Sequence, residues 1–341
     1  MKNSEIDQRE IRIALPSKGR LMEETLELMD KSGLEVKKPN PRQYEAKIPA
    51  LPGVNVLFQR AGDIAVSVRD GIVDFGITGL DVVAEKQNSE KGILIMLKNL
   101  GFGDCRFCAI VPEDSREINR MEDVNRLIKD NQRTLRVATK FPNLTKRYFD
   151  SHHVQEVTYV VAEGALEIAP LIGYADMITD LVSTGTTLRD NRLKILDDGL
   201  ILESQACLIA NRSTLLQNKG VMGVAKQLLE FIVAYLRAKN NIAIFANIRG
   251  ESPEAVADLI LGKQVIRGLQ GPTISRVITH GGEDWYAAHL IVAKSQLAEA
   301  IRELRQIGGS GVVVMPVSYI FEEEPEAYRL MVLELGIENG S

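Results

Sequence analysis

Apolar and polar positions along the first hundred residues follow two rhythms in turn. Ile11 to Leu15 is a short continuous apolar run, the mark of a strand buried on both faces, and Gly19 opens a stretch in which Leu21, Leu26, Met29 and Leu34 recur at helical spacings. Pro16-Ser17-Lys18-Gly19-Arg20 joins the two. Val54 to Gln59 predicts a second strand, Asp63 to Arg69 a short helix, and Val73 to Thr78 a third strand with a further helix starting at Asp81. This β-α-β-α alternation predicts a mostly parallel sheet.

The apolar stretch from Leu94 to Val111 breaks at Gly101-Phe102-Gly103-Asp104, which predicts a strand leaving one lobe and entering the next through a glycine hinge. The βαβ order then resumes, with strands over Leu135 to Thr139, Val157 to Ala162 and Met177 to Val182 and helices after Pro142 and after Gly164. Ile201 to Ala210 reads as the chain returning to the first lobe. Two lobes joined by two crossing strands enclose a cleft, and ligands of such sheets bind at the carboxyl ends of the strands. The boundaries implied are 1–102 with 195–222 for the first lobe and 103–194 for the second.

Gly223 to Lys239 carries Val224, Leu228, Phe231, Ile232, Tyr235 and Leu236 close to one face and predicts an amphipathic connecting helix over 223–239. Beyond Asn240 the pattern gives strand Ile242 to Ile248, helix Pro253 to Leu261, strands Arg276 to Thr279 and Tyr286 to Val292, helix Gln296 to Ile307 and strand Val312 to Val317. That βαββαβ order is the ferredoxin-like module, assigned here to 240–341. The tail from Glu322 reads as a solvated extension, with Tyr328 to Leu335 able to add a helix or a strand.

With 341 residues the chain is too long for one compact core, and 45% hydrophobic with 26% charged residues is ordinary for a soluble α/β protein. A net charge of -5 argues against nucleic acid or an anionic membrane as the main partner, because both need a clustered positive field. Met1 to Glu10 is polar and no later run reaches the length of a bilayer span, so neither a secretory signal nor a membrane anchor is expected and a cytoplasmic location is. Three cysteines give no even disulfide framework; Cys105-x-x-Cys108 lies in a strand-like run and reads as two packed thiols. The four histidines do not cluster, which argues against a zinc site or a Ser-His-Asp triad.

The chemistry concentrates in Asp180-Leu-Val-Ser-Thr-Gly-Thr-Thr-Leu188. An apolar strand runs into a loop, Ser183, Thr184, Gly185, Thr186 and Thr187, whose hydroxyls and backbone N–H groups can converge on one phosphate at a helix start. Helix capping is the alternative use of such residues. The lysine of a Walker A loop and a G-x-G-x-x-G are both missing, so triphosphatase and dinucleotide readings lose support. Asp176 and Asp180 precede the loop, where a carboxylate can accept hydrogen bonds from ribose hydroxyls. Lys18, Arg20 and Arg60 follow strands on the first lobe and suit a pyrophosphate or triphosphate, although such cations are often merely solvated. Lys140, in Thr139-Lys140-Phe141-Pro142, marks another strand-to-helix junction with room for an anion, where the proline serves equally as structural punctuation, and Glu163 with Glu167 could position a hydroxyl or magnesium or simply favour a helix's first turn without any ligand.

With these residues in hand, the chain resembles the long form of ATP phosphoribosyltransferase. The matching segments are Leu15-Pro-Ser-Lys-Gly-Arg-Leu21, Asp74-Phe-Gly-Ile-Thr-Gly79, Leu100-Gly-Phe-Gly103, Ala138-Thr-Lys-Phe-Pro-Asn-Leu144 and, above all, the Asp180 to Leu188 segment. The resemblance implies a catalytic part similar to the two-lobed periplasmic binding proteins. It implies a pentosyltransferase in which N1 of ATP displaces pyrophosphate from C1 of phosphoribosyl pyrophosphate with Mg²⁺, the first step of histidine biosynthesis. Ser183 to Thr187 would hold the 5'-phosphate, Asp180 the ribose hydroxyls, and Lys18 and Arg60 the polyphosphates. The segment Asn240 to Phe321 is similar to the family's regulatory domain through Gly271-Pro-Thr-Ile-Ser275, Asp284-Trp285 and Ile307-Gly-Gly309, which implies inhibition by histidine, with Asn247 and Thr273 as polar candidates, and a homo-oligomer between dimer and hexamer. A non-catalytic solute-binding module of the same architecture, or a phosphoribosyltransferase acting on another base, is the competing reading.

Overall fold

The computed structural model of the chain describes residues 10–40, 43–87, 92–131, 134–162, 164–279 and 284–337. They fall into two compact units, Met1–Gln227 with Ala327–Ser341 and Leu228–Glu326.

In the first unit, β1 (Ile11–Pro16) leads to α1 (Gly19–Lys31), then β2 (Glu45–Lys47), β3 (Val54–Gln59), α2 (Ala61–Arg69), β4 (Phe75–Gly79), α3 (Leu80–Lys86) and β5 (Ile93–Leu97). The chain then builds β6 (Cys105–Pro112), α4 (Met121–Asn131), β7 (Leu135–Thr139), α5 (Pro142–Ser151), β8 (Val157–Val161), β9 (Met177–Val182), α6 (Thr186–Asp190) and β10 (Leu193–Ser204), and returns through β11 (Ala206–Asn211) to α7 (Arg212–Gln217) and α8 (Lys219–Lys239). Two sheets result, in the orders β2-β3-β1-β4-β11-β5 and β10-β6-β9-β7-β8. β1 lies between β3 and β4, parallel to both, and Ile13, Ala14 and Leu15 are fully buried, which is why that strand reads as an unbroken apolar run. α2 covers β4 at close range: a Cβ on Gly76 would come 2.5 Å from Ile64 Cγ2.

Several boundaries differ from those the pattern predicts. The stretch from Leu94 to Val111 is two strands, one in each sheet, and Gly101 and Gly103 between them both have φ of 75°. Residues 195–204, expected in the first lobe, pair antiparallel with β6 in the second sheet, and the chain re-enters the first sheet only after Gln205. The helix expected after Gly164 is a single 3-10 turn, Leu166–Ile168, because Ala165 takes a left-handed φ of 51° and Pro170 closes the segment.

In the second unit, β12 (Asn241–Arg249), α9 (Pro253–Leu261), β13 (Thr273–Val277), β14 (Trp285–Ala293), α10 (Leu297–Gln306) and β15 (Ser310–Pro316) form a sheet in the order β13-β14-β12-β15, every pair antiparallel. This is the ferredoxin-like βαββαβ arrangement. Its core joins alternate residues of β12 and β14, such as Ile244 and Leu290, to Val256, Ile260 and Leu304 of the helices. The division between the units falls inside α8. The tail expected in the C-terminal module groups with the first unit instead: α11 (Glu326–Leu335) buries Met331, Val332 and Leu335, and its Glu334 carbonyl accepts from both terminal nitrogens of Arg212, at 3.1 and 2.8 Å. Among the described residues no helix is long and apolar enough to cross a membrane.

Gly76→Ala tests the tight α2–β4 packing. Overpacking at a fixed backbone should cost about 1–3 kcal/mol and lower the first thermal unfolding transition by several degrees, read by differential scanning calorimetry; an unchanged transition would mean that Ile64 moves aside freely.

Candidate functional site

Two sheets present their carboxyl edges to one point. β4 ends at Gly79, the partner of Ala206 at the start of β11. β9 ends at Val182, the partner of Arg106, which in turn faces Glu203 near the end of β10. Only Gln205 separates β10 from β11, so both carboxyl edges converge on this crossing.

On the first lobe, Pro16 and Gln59 are cross-strand partners, and the N–H of Ser17 donates to the Gln59 carbonyl at 2.8 Å. Lys18 and Arg20 therefore leave the same sheet edge as Arg60, and all three are exposed. Gly19 starts α1 with φ of 72°, and neither Lys18 nor Arg60, the N-cap residues of α1 and α2, covers its helix end with a side-chain bond. First-turn N–H groups and two cations thus face the same way, a pattern suited to polyphosphate. Arg20, itself exposed, pairs with the partly buried Glu24 at 3.5 Å, and its charge reaches the Cys105 thiol at the crossing.

On the second lobe, β9 delivers the loop Ser183 to Thr187. Ser183, Thr184, Thr186 and Thr187 are exposed, and Gly185 turns the backbone with φ of 74°, a conformation easiest for glycine. The hydroxyls of Thr184 and Thr186 lie 3.1 Å apart, and Arg189 reaches Thr186 at 3.5 Å. Asp180 sits on β9 behind the loop, half-buried, and accepts from the Leu181 N–H at 2.7 Å. Burial pushes its carboxyl above the usual carboxylate range; that N–H opposes the shift, the like charge of Glu167 reinforces it and Lys140 opposes it. Glu167 and Lys140 are thereby within electrostatic reach of Asp180. Glu163 lies outside the described residues.

Asp176 does not join this group. It precedes β9, and its carboxylate takes the Arg136 backbone N–H at 2.9 Å and guanidinium bonds at 3.1 and 3.4 Å. The loop is at the other end of the strand, about 20 Å away at roughly 3.3 Å per residue. Asp176 fastens β9 to β7.

Two interlobe contacts have no signature in the residue pattern. Asp81, on the first turn of α3, accepts from the Ser204 hydroxyl at 2.6 Å and donates its own N–H back to that oxygen at 2.9 Å. Glu85, at the end of α3, accepts the N–H groups of Asn143 and Leu144 at the start of α5, at 3.0 and 2.8 Å. Both carboxylates are nearly inaccessible, at 5% and 3% exposure. A buried acid on a helix is a cue for a specific partner, but burial cannot be read from a single chain.

The cysteines are free; burial pushes the thiols up, Cys105 to about 11 and Cys207 to about 12. No group of three or more His, Cys, Asp or Glu suited to a metal occurs among the described residues. In the second unit, the pairings Phe245 with His289, Thr273 with His289 and Asn247 with Ala287 put Asn247 and Thr273 on one sheet face, opposite the helix-covered side. Phe245 and His289 stack there at 4.4 Å.

Residues 60–234 match the family model described as HisG: ATP phosphoribosyltransferase, and residues 238–319 match HisG, C-terminal domain. ATP phosphoribosyltransferase 2, chloroplastic, of Arabidopsis thaliana is 40% identical over an alignment covering 98% of this chain and 83% of that protein. The ATP phosphoribosyltransferase of Methanocaldococcus jannaschii is 34% identical over 91% of this chain and 99% of its own. The solved ATP phosphoribosyl transferase (HisG:HisZ) complex from Thermotoga maritima aligns with a TM-score of 0.50 at 26% identity, over 65% of this chain and 98% of that one.

Asp180→Asn separates stability from binding. A carboxyl with a raised folded pKa contributes stability below its unfolded value, near 3.8, and loses it as pH rises through the folded value. The substitution should therefore raise the melting temperature at pH 7 and change it less at pH 4. A melting temperature lowered at pH 7 would show that the ionised carboxylate is stabilising.

Proposed function

The chain belongs to the ATP phosphoribosyltransferase family, and from that premise we propose how its residues divide the reaction between the two lobes. The reaction transfers phosphoribosyl from phosphoribosyl pyrophosphate to N1 of ATP with release of pyrophosphate, the first step of histidine biosynthesis. The observation that carries the residue assignment is the exposed Ser183 to Thr187 hydroxyl loop at the carboxyl end of β9, at the crossing where Lys18 and Arg60 leave the other sheet.

The loop holds the donor's 5'-phosphate through its hydroxyls and backbone N–H groups. Asp180 accepts from the ribose hydroxyls; being half-buried, it makes these bonds in a medium of low dielectric, where they are strong. Lys18 and Arg60, with Arg20 beside them, hold polyphosphate oxygens. The bond from C1 to pyrophosphate breaks as N1 of adenine bonds to C1, and adenine N1 needs no proton removed before attack, so no general base is required. The barrier falls through alignment and through stabilisation of charge on the departing group.

Mg²⁺ belongs to this reading as an ion carried on the donor's pyrophosphate. One or two carboxylates are all that such an ion needs from a protein, and Asp180 and Glu167 would be the ones to supply them. When bound, the ion neutralises charge on the leaving pyrophosphate.

The second unit is assigned to regulation. Histidine is taken as the effector, with Asn247 and Thr273 on the open sheet face as its polar contacts, in a homo-oligomer between dimer and hexamer. The match of 238–319 to the C-terminal domain model supports a chain that carries its own regulatory module. Three unpaired thiols fit a reducing compartment, and we place the enzyme in the cytoplasm.

The first measurement is formation of phosphoribosyl-ATP from ATP and phosphoribosyl pyrophosphate with Mg²⁺, with and without millimolar histidine. Turnover suppressed by histidine is expected; histidine-insensitive turnover would remove the effector assignment. Thr186→Ala with Thr187→Ala should raise KM for phosphoribosyl pyrophosphate about 10–100-fold, the loss of one or two hydrogen bonds to a charged group, and leave the melting temperature near that of the parent. An unchanged KM would sink the phosphate-loop assignment.

A further inference from the structure

Glu85 lies on the lobe opposite the donor loop, and its surroundings give it a single task. Its carboxylate is almost wholly buried, and it accepts two first-turn N–H groups of α5, those of Asn143 and Leu144. The Asn143 carboxamide donates back to the Glu85 carbonyl at 3.3 Å, and Arg147, one turn along α5, donates to the Ala84 carbonyl at 2.8 Å. Four hydrogen bonds thus join the last turn of α3 to the first two turns of α5. Phe141 and Leu144 share one apolar core with Ile64, Leu80 and Val83 of the first lobe, and Phe141 packs edge-on against Phe107 at 5.3 Å.

What this seam positions is the turn before α5. Lys140 precedes Phe141, its ammonium lies 5.7 Å from that ring, and it follows Thr139, the cross-strand partner of Thr179, so that Lys140 and Asp180 leave neighbouring parallel strands side by side. The same turn is held from within the second lobe by three buried hydroxyls: Thr139 accepts from the Phe141 N–H at 3.0 Å, Thr145 donates to the Phe141 carbonyl at 2.8 Å, and Thr145 and Thr179 meet at 2.7 Å. Thr179 is the β9 residue before Asp180. A contiguous set of contacts therefore runs from Glu85 through the start of α5 to both Lys140 and Asp180.

We propose that Glu85 is a positioning residue for the phosphoribosyl donor: from the first lobe it fixes the start of α5, and with it the placement of Lys140 opposite Asp180 beside the phosphate loop. This rests on the donor-site reading above. Glu85 touches no substrate and acts through Lys140. The α5 N-terminus is consequently spent on Glu85 and takes no phosphate, so the anion-binding task at this junction falls to the Lys140 side chain.

Contiguity alone does not demonstrate coupling, and a double-mutant cycle does. KM and kcat for each substrate are to be measured in the full-length parent, Glu85→Ala, Lys140→Ala and the double variant, with thermal unfolding recorded for each. Glu85→Ala should raise KM for phosphoribosyl pyrophosphate about tenfold with KM for ATP little changed, and the double variant should be scarcely worse than Lys140→Ala. A purely structural residue would lower the melting temperature without this split. Multiplying effects in the double variant, or an unaltered donor KM in a folded Glu85→Ala enzyme, would overturn the proposal. If Glu85→Ala does not fold, Glu85→Gln, which keeps one acceptor, and the exposed Arg147→Ala take its place with smaller shifts of the same kind and the same criterion. A parent enzyme that lacks turnover would instead refute the functional reading beneath it.

Discussion

Everything in the first unit depends on the chain crossing between two sheets twice within a narrow neck. One crossing is Lys98 to Asp104; the other is Gln205 alone. The two segments run so close that a Cβ on Gly103 would lie 3.2 Å from the Ala206 nitrogen, and Gly103 also needs its φ of 75°. Only glycine meets both demands without strain. The crossing turns β11 antiparallel to β4 and β6 antiparallel to β9, which brings the carboxyl ends of β4 and β9 to the same place. The Asp81–Ser204 pair bolts this neck from inside, and Gly79 admits it: a Cβ there would stand 2.3 Å from the Asp81 carboxylate.

The neck solves an electrostatic problem for a chain of net charge -5 that binds substrates dense in phosphate. Global attraction is absent, so the positive potential must be local. On the proposed reading, exposed cations and helix starts without side-chain caps supply it on one sheet edge, hydroxyls and backbone N–H groups on the other. In the proposed assignment Asp180 takes the opposite sign and serves the uncharged hydroxyls of the sugar between two phosphorylated ends. Its partial desolvation disfavours the ionised carboxylate, the kind of stability cost that a group held for the proposed binding role would carry.

The elements legible in the sequence are those whose cause is local. β1 reads as a strand because both its faces are buried, and the Ser183 to Thr187 loop is visible because a buried strand runs straight into a cluster of small polar residues. Asp176 reads as a ribose-binding candidate because a carboxylate beside a strand looks the same at either end of it, and only the β7–β9 register shows that it serves Arg136. Residues 195–204 read as part of the first lobe although they pair with β6 in the second sheet, because apolarity marks a strand without naming its sheet. α11 escaped its true grouping for a related reason: a polar run at Glu322 to Glu324 suggests an extension, and the burial of Met331 and Val332 is a tertiary fact. Glu85 lay beyond reach altogether, since an acid in a helix is usually solvated and its partners are 58 and 59 residues away.

Glycines between lobes suggest a free hinge, yet the seam between α3 and α5 makes the lobes share a core. A solute-binding protein gains from lobes that part to admit ligand. A transferase whose barrier falls through alignment gains from a donor site already assembled, because groups fixed in advance need not reorganise as charge develops. The distribution of contacts follows that second demand. Buried carboxylates and threonine hydroxyls fix the strands and helix starts behind the site, while the groups assigned to substrate, Lys18, Arg60 and the loop hydroxyls, are exposed at its rim. Freedom is kept in side chains that meet solvent, and the backbone that aims them is held on both sides of the cleft.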